Sequence, residues 1–365
     1  MDRLSRAEAQ QRTRARVLAA AREEFTERGY RDAKIDAIAE RAGLTRGGVY
    51  SNFPGKRALY FAVLVEDIQR APTPPPVRPG RTTREALGMF ARAWLARLPL
   101  AIDEQHSTAR LGVDLLPEIL ADERTRRPYT QLMKLDAILL GLALEQIHPA
   151  AGRRVGVAET VLTTLQGATQ LAAAAPGFVE EFTIVAACER LAGLELDDAW
   201  RPPYLPYIPG ARPADEPWSP PAATDAISGE PARLTGDGVV AILGLHRVGA
   251  IEEAVRAAPA GADVTAVLVT GAPDELGNLA RLAVADLCTC LRPAFPTTAG
   301  PHLRIVHDDT GEVAAAAGVP AVSDATETAI RIHSGRIVAR ADGFGACHAA
   351  ASADHPPPGK TPTPH

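Results

Sequence analysis

Long apolar runs, cysteine and net positive charge are all scarce in this 365-residue chain, and each shortage removes a class of protein. No stretch approaches the roughly 18 uninterrupted apolar residues of a membrane-spanning helix, so no membrane partner is expected. The opening stretch MDRLSRAEAQQRTRARV is charged but lacks the apolar core of a secretory signal, so export is not expected. Four cysteines, at 188, 288, 290 and 347, are too few and too scattered for a disulfide framework, and a cytoplasmic location follows. The formal net charge is −5, so a polyanion could be met only locally.

The charge is in fact split. Residues 1–70 hold 14 Lys/Arg against 10 Asp/Glu, a net of +4; the remainder holds 25 against 34, a net of −9. The basic segment also contains the most informative stretch, IDAIAERAGLTRGGVYSNFPGKRAL, from Ile35 to Leu59. Ile35, Ile38, Ala39 and Ala42 fall at i, i+3, i+4 and i+7 and predict a two-turn helix with one apolar face. Gly43 suits the left-handed residue that ends it, and Thr45 suits the N-cap of the next helix. Val49, Tyr50 and Phe53 read as that helix's buried stripe. Arg46, Gly47, Gly48, Ser51 and Asn52 fall on the other side. Two helical glycines cost about 1 kcal/mol each relative to alanine, a cost that makes sense where a phosphate backbone must come close. Pro54, Gly55 and Lys56 close this helix and open the next.

This stretch resembles the TetR family of repressors, whose pattern I-A-x-x-A-G-[VL]-[ST]-x-G-x-x-Y-x-x-F-x-x-K-x-x-L is met by Ile38, Ala39, Ala42, Gly43, Leu44, Thr45, Gly47, Tyr50, Phe53, Lys56 and Leu59. The likeness extends upstream, where Val17, Leu18, Ala21 and Phe25 form the face of a first helix ended by Gly29-Tyr30. One departure is Ala33-Lys34, where the family has a capping threonine or serine; Asp32 is the expected substitute cap. The resemblance implies that Thr45, Arg46, Gly47, Gly48, Tyr50, Ser51 and Asn52 face double-stranded DNA, with Lys56 on a phosphate. Arg46, Ser51 and Asn52 are the candidates for base edges, while Tyr50 and Lys56 position the helix.

PTPPPVRPG, from Pro72 to Gly80, cannot be helical in its interior and bounds a DNA-binding domain at 1–71. Helical periodicity resumes over 81–198, which resembles the family's all-α effector-binding and dimerisation domain. Its last two helices, near Val155 to Ala175 and Val179 to Leu194, could pair with a second subunit in a homodimer or serve as monomer core. Trp94, Phe90, Met89, His106, Tyr129, Met133 and Gln166 are the side chains best suited to line a pocket for a small-molecule effector, which the resemblance does not identify.

Residues 199–237, with PPYLPYIPGARPADEPWSPP, read as an extended linker. The period then changes: GVVAILGL, DVTAVLVTG and HLRIVHD are strands, alternating with the helices GAIEEAVRAA and DELGNLARLAVADL, a pattern expected to give a sheet covered on both faces. TETAIRI and RIVARADG flank His333-Ser334-Gly335 as a hairpin. With HDDTGEVAAAAGV upstream, residues 238–353 resemble the thioredoxin-like fold of the peroxiredoxin group. That fold's chemistry needs a cysteine just after the first strand, where this chain has His246 and Arg247, and Ala325-Thr326-Glu327 stands where its proline would be. A catalytically silent domain is expected, with no catalytic residue and no cofactor. Cys288 and Cys290 form C-T-C, a poor spacing for a relaxed disulfide; with His302 or His307 they could hold a soft metal, but inert thiols and no metal site are expected. Residues 354–365 read as a disordered tail. The fold class expected is multidomain: an all-α N-terminal part, then an α/β thioredoxin-like domain. The function expected is a sequence-specific regulator, a repressor released by its effector; a redox-responsive regulator or oxidoreductase acting through the C-terminal domain is the alternative.

Overall fold

The structure, a computed structural model, describes residues 6–71, 78–98, 108–202, 210–296 and 302–353. Along the chain run α1 (Arg6–Asp32), α2 (Ile35–Arg41), α3 (Arg46–Tyr50), α4 (Lys56–Arg70), α5 (Thr83–Leu95), α6 (Leu115–Leu120), α7 (Glu123–Ile147), α8 (Val155–Ala174) and α9 (Glu181–Leu191). Then follow β1 (Arg212–Pro217), β2 (Gly238–Gly244), α10 (Ile251–Ala257), β3 (Asp263–Val269), α11 (Asn278–Ala294), β4 (Arg304–His307), α12 (Glu312–Ala316), β5 (Glu327–His333), β6 (Arg336–Asp342) and α13 (Ala346–Ala351). Two compact units result, one of residues 1–200 and 270–301, the other of 201–269 and 302–365.

The first unit is all helical. Val17, Ala21 and Phe25 of α1 are buried together with Leu59, Phe61 and Val63 of α4, which burial of apolar surface drives. Thr82 caps α5, its hydroxyl accepting the Glu85 N–H at 3.2 Å while the Glu85 carboxylate accepts the Arg81 N–H at 2.8 Å. The expected division of the chain at residue 238 does not hold. DELGNLARLAVADL was expected to cover the sheet, but α11 belongs to the helical unit and packs on α4, α5 and α7. The reason is its burial: Leu279 and Ala280, Leu282 to Val284, Leu287 and Cys288, and Cys290 and Leu291 are all covered, leaving it almost no solvent face.

The second unit is a six-stranded mixed sheet in the order β1-β6-β5-β2-β3-β4. β2, β3 and β4 are parallel neighbours, β5 pairs antiparallel with β2, and β6 pairs antiparallel with β5. β2 is buried along its whole length, as its uninterrupted apolar sequence requires. The hairpin forms as expected, with Ser334 at φ 49° and Gly335 at φ 72°, the two left-handed residues of a tight primed turn. The proline-rich segment is not a plain linker. Arg212–Pro217 is the edge strand β1, antiparallel to β6 with an irregularity between Pro213 and Glu216, since proline can stand where no ladder donor is needed. Trp218 follows it into the core, 4% exposed, donating its indole N–H to the Leu234 carbonyl at 2.7 Å. Pro72–Val77, residues 203–209 and the tail at 354–365 lie outside the described residues, as does His106. No described helix is long and apolar enough to cross a membrane.

Candidate nucleic-acid interface

α2 and α3 are held at an angle by a left-handed Gly43 (φ 62°) and a short turn. Arg16 fastens this turn to α1 by donating to the Ala42 carbonyl at 2.7 Å. The Thr45 hydroxyl accepts the Gly48 N–H at 3.2 Å, so α3 starts with the expected cap. The cap of α2 differs from expectation. Asp32 lies at the end of α1, Lys34 is the N-cap residue with no side-chain bond, and the Lys34 N–H turns to Glu24 at 3.4 Å. Glu24 is fully buried and is paired by Arg28 at 3.2 Å and Arg41 at 3.3 Å, which offsets the cost of burying its charge. Sequence reading missed this residue; its one signal was an acid in the middle of an otherwise apolar helix face.

Val49 and Phe53 are each 1% exposed and seat α3 on the domain core. Tyr50, expected in the same buried stripe, is 40% exposed, because it stands about 100° round the helix from Val49. The Arg46 guanidinium lies 5.6 Å from the centre of the Tyr50 ring and 3.6 Å from the Asp36 carboxylate, and both Arg46 and Asp36 are well exposed. Thr45, Arg46, Gly47, Tyr50 and Ser51 therefore form one exposed ridge, with Gly48 partly covered. Ser51 donates back to the Gly48 carbonyl at 2.9 Å, which leaves its lone pairs outward. The Asn52 amide also donates to the Gly48 carbonyl at 2.9 Å, and its own carbonyl accepts from Arg14 at 2.8 Å, so Asn52 finishes the helix from a half-buried position. Lys56 bonds the Arg31 carbonyl at 3.1 Å and lies 4.6 Å from the Tyr30 ring; partial burial lowers its pKa. Arg14, which sequence reading passed over, covers the face of Phe53 at 4.1 Å and so braces α3 against α1.

Of the proposed pocket residues, Phe90 is fully buried and packs against Trp94 with ring centres 6.1 Å apart. Trp94 reaches α8 through an indole bond to Thr169 at 3.0 Å. Tyr129 and Met133 on α7 and Gln166 on α8 are half-buried. Cys288 and Cys290 are buried on α11 and form no disulfide, a spacing of two pointing them to different sides of the helix. Burial pushes the Cys290 thiol up to about 12 and Cys188 up to about 11, so neither offers a thiolate, and redox chemistry gains no support.

A capped, glycine-bearing helix projecting arginine, tyrosine and serine from a three-helix frame defines a helix-turn-helix DNA-binding domain. Residues 17–63 match the family model of bacterial regulatory proteins of the tetR family. Over 64 residues the chain is 48% identical to the HTH-type transcriptional regulator SrpR of Pseudomonas putida, covering 18% of this chain and 30% of that one. It is 41% identical over 61 residues to the HTH-type transcriptional regulator UidR of Escherichia coli K12, covering 17% and 31%. The chain thus spans about a third of the length of these relatives. A solved structure of NalD, the secondary repressor of the MexAB-OprM multidrug efflux pump in Pseudomonas aeruginosa, is similar at 20% identity and a TM-score of 0.34, covering 50% of this chain and 95% of that one.

Proposed function

We propose that this chain is a cytoplasmic, homodimeric regulator that reads a DNA operator through α3 and is released from it by a small-molecule effector. The observation that carries this reading is the exposed ridge of Thr45, Arg46, Tyr50 and Ser51 on a helix whose N-cap and buried Val49 and Phe53 fix its direction. Arg46 suits a guanine edge, Ser51 accepts or donates, and Tyr50 and the α3 backbone meet phosphates. Lys56 reaches a phosphate by exchanging its Arg31 contact. Dimerisation is supported by Leu171 on α8, Phe178, and Phe182 on α9, which are 43%, 70% and 83% exposed, an apolar surface that a second copy would cover. Two α3 helices then reach successive major grooves when about 34 Å apart, and an effector that favours another spacing weakens binding by its differential affinity for the two states.

The second unit we read as a thioredoxin-like domain without catalysis. In its favour are the parallel β2–β3 pair and the antiparallel β5–β6 hairpin laid beside β2. After β2, Arg247 bonds Glu327 at 2.7 Å where a reactive cysteine would be needed. The test is selection of bound DNA from a random pool, followed by gel shift of the selected site with R46A and Y50A proteins. Loss of binding with the dimer intact supports the reading; undiminished affinity in both variants rejects the assigned ridge.

A further inference from the structure

Inside the helical unit, α7 and α11 bring together a group of polar side chains that DNA contact does not use. Asp136 of α7 is 4% exposed, and its Oδ1 has no hydrogen-bond partner among the described residues. A buried carboxyl oxygen left unpaired costs about 1–3 kcal/mol, so its retention calls for a partner that arrives from outside the chain. Asp286 of α11 already has a partner, since the Arg97 guanidinium pairs its carboxylate, bonds its carbonyl at 3.3 Å and approaches the Cys290 sulfur at 3.6 Å. Burial, and after it the Asp286 carboxylate, raises the Asp136 pKa well above the ordinary carboxylate range. Tyr129, about two turns earlier on α7, has its pKa raised by burial and then by the carboxylates of Asp136 and Asp286. The group is therefore one positive charge short of balance whenever Asp136 ionises, and the missing charge must carry an N–H donor to satisfy Oδ1.

We propose that Asp136, flanked by Tyr129 and Asp286 between α7 and α11, anchors a buried site for an organic ammonium ion. This names the chemical class of the effector in the regulator reading and rests on that reading for its consequence. The route to the DNA-binding domain is on the same segment. α11 packs on α4 as well as on α7, and the turn before it, Pro273–Gly277, holds Arg57 through Glu275 at 2.7 Å and Arg14 through Asp274 at 3.7 Å. Asp286 and Glu275 are 11 residues apart, roughly 16 Å along a helix at 1.5 Å per residue. An ammonium seated against Asp136 displaces α11 relative to α7, and that movement reaches the two arginines that brace α1 and α4.

The test uses the full chain, without DNA, and isothermal titration with phenethylammonium and decylammonium, each paired with its uncharged alcohol. Saturable binding of an ammonium, at least about tenfold tighter than of its alcohol and lost by a similar factor in D136N, is expected for a desolvated charge pair. D136N should fold at least as stably as the parent, since it removes an unpaired buried acid; D136L serves if it does not. Equal affinity for ammonium and alcohol, affinity unchanged in D136N, or no saturable binding overturns the proposal. Because binding is read without DNA, a chain that takes the ammonium but no operator fails the regulator reading alone, and one that binds its operator but no ammonium fails this proposal alone.

Discussion

Gly47 allows folding and DNA binding to be separated in one substitution. It sits in the first turn of α3, and a Cβ added there would meet nothing nearer than the Thr45 hydroxyl oxygen at 3.8 Å, an ordinary contact. G47A should therefore stabilise the free protein by roughly 0.4–1 kcal/mol, through a smaller loss of backbone freedom on folding. On DNA the sign reverses. If the first amides of α3 lie against a phosphate, a methyl group at position 47 holds them away and removes about one charge-assisted hydrogen bond, worth about 1.5–3 kcal/mol. That is tenfold or more in affinity for each half-site. Urea unfolding and gel shift on the selected operator, at one fixed salt concentration, measure the two effects. A G47A protein that is both more stable and equally tight on DNA would refute the close approach and with it the role given to the glycine pair.

T45A removes the cap of the same helix and should lower unfolding free energy by about 1 kcal/mol while weakening operator binding, read by the same two assays. W218A should lower the stability of the sheet unit by about 3–5 kcal/mol and open residues 210–237 to limited proteolysis, which a true linker would suffer even in the parent. Glu253 is held up to about 7 by burial and then by Glu327, against 4.5 when unfolded. Its folded pKa is raised, so the parent loses stability as pH rises from 4.5 to about 7; E253Q should be level with the parent below that window and progressively more stable through it.

The DNA-binding domain was legible because its signals are local: an apolar period of 3.6, a left-handed Gly43 and a capping Thr45 lie within a dozen residues. What escaped was set by distant partners. Asp32 had the chemistry of a cap, but Glu24, eight residues upstream and buried, takes the Lys34 N–H instead. Tyr50 has an apolar ring that pattern reading counts as core, yet Val49 of α3 and Phe53 just after it already fill the side that meets the core. Proline density at 212–220 signals extended chain in the same way for a linker and for an edge strand; the pairing with β6 decides, and no local feature reports it. Strands β2 to β6 and their hairpin carry local signals of their own, whereas the destination of α11 does not show in its sequence, since an apolar helix does not declare which surface it will cover.

The excursion of the chain between β3 and β4 changes how this protein can be taken apart. The polypeptide leaves the sheet at Val269 and rejoins it at β4, having contributed α11 to the helical unit on the way. A gene cut at residue 237 would therefore encode a regulator with one helix missing from its interior, and the complementary fragment would carry an apolar helix with nothing to bury it. The core of the helical unit is complete only when the chain beyond residue 237 is present.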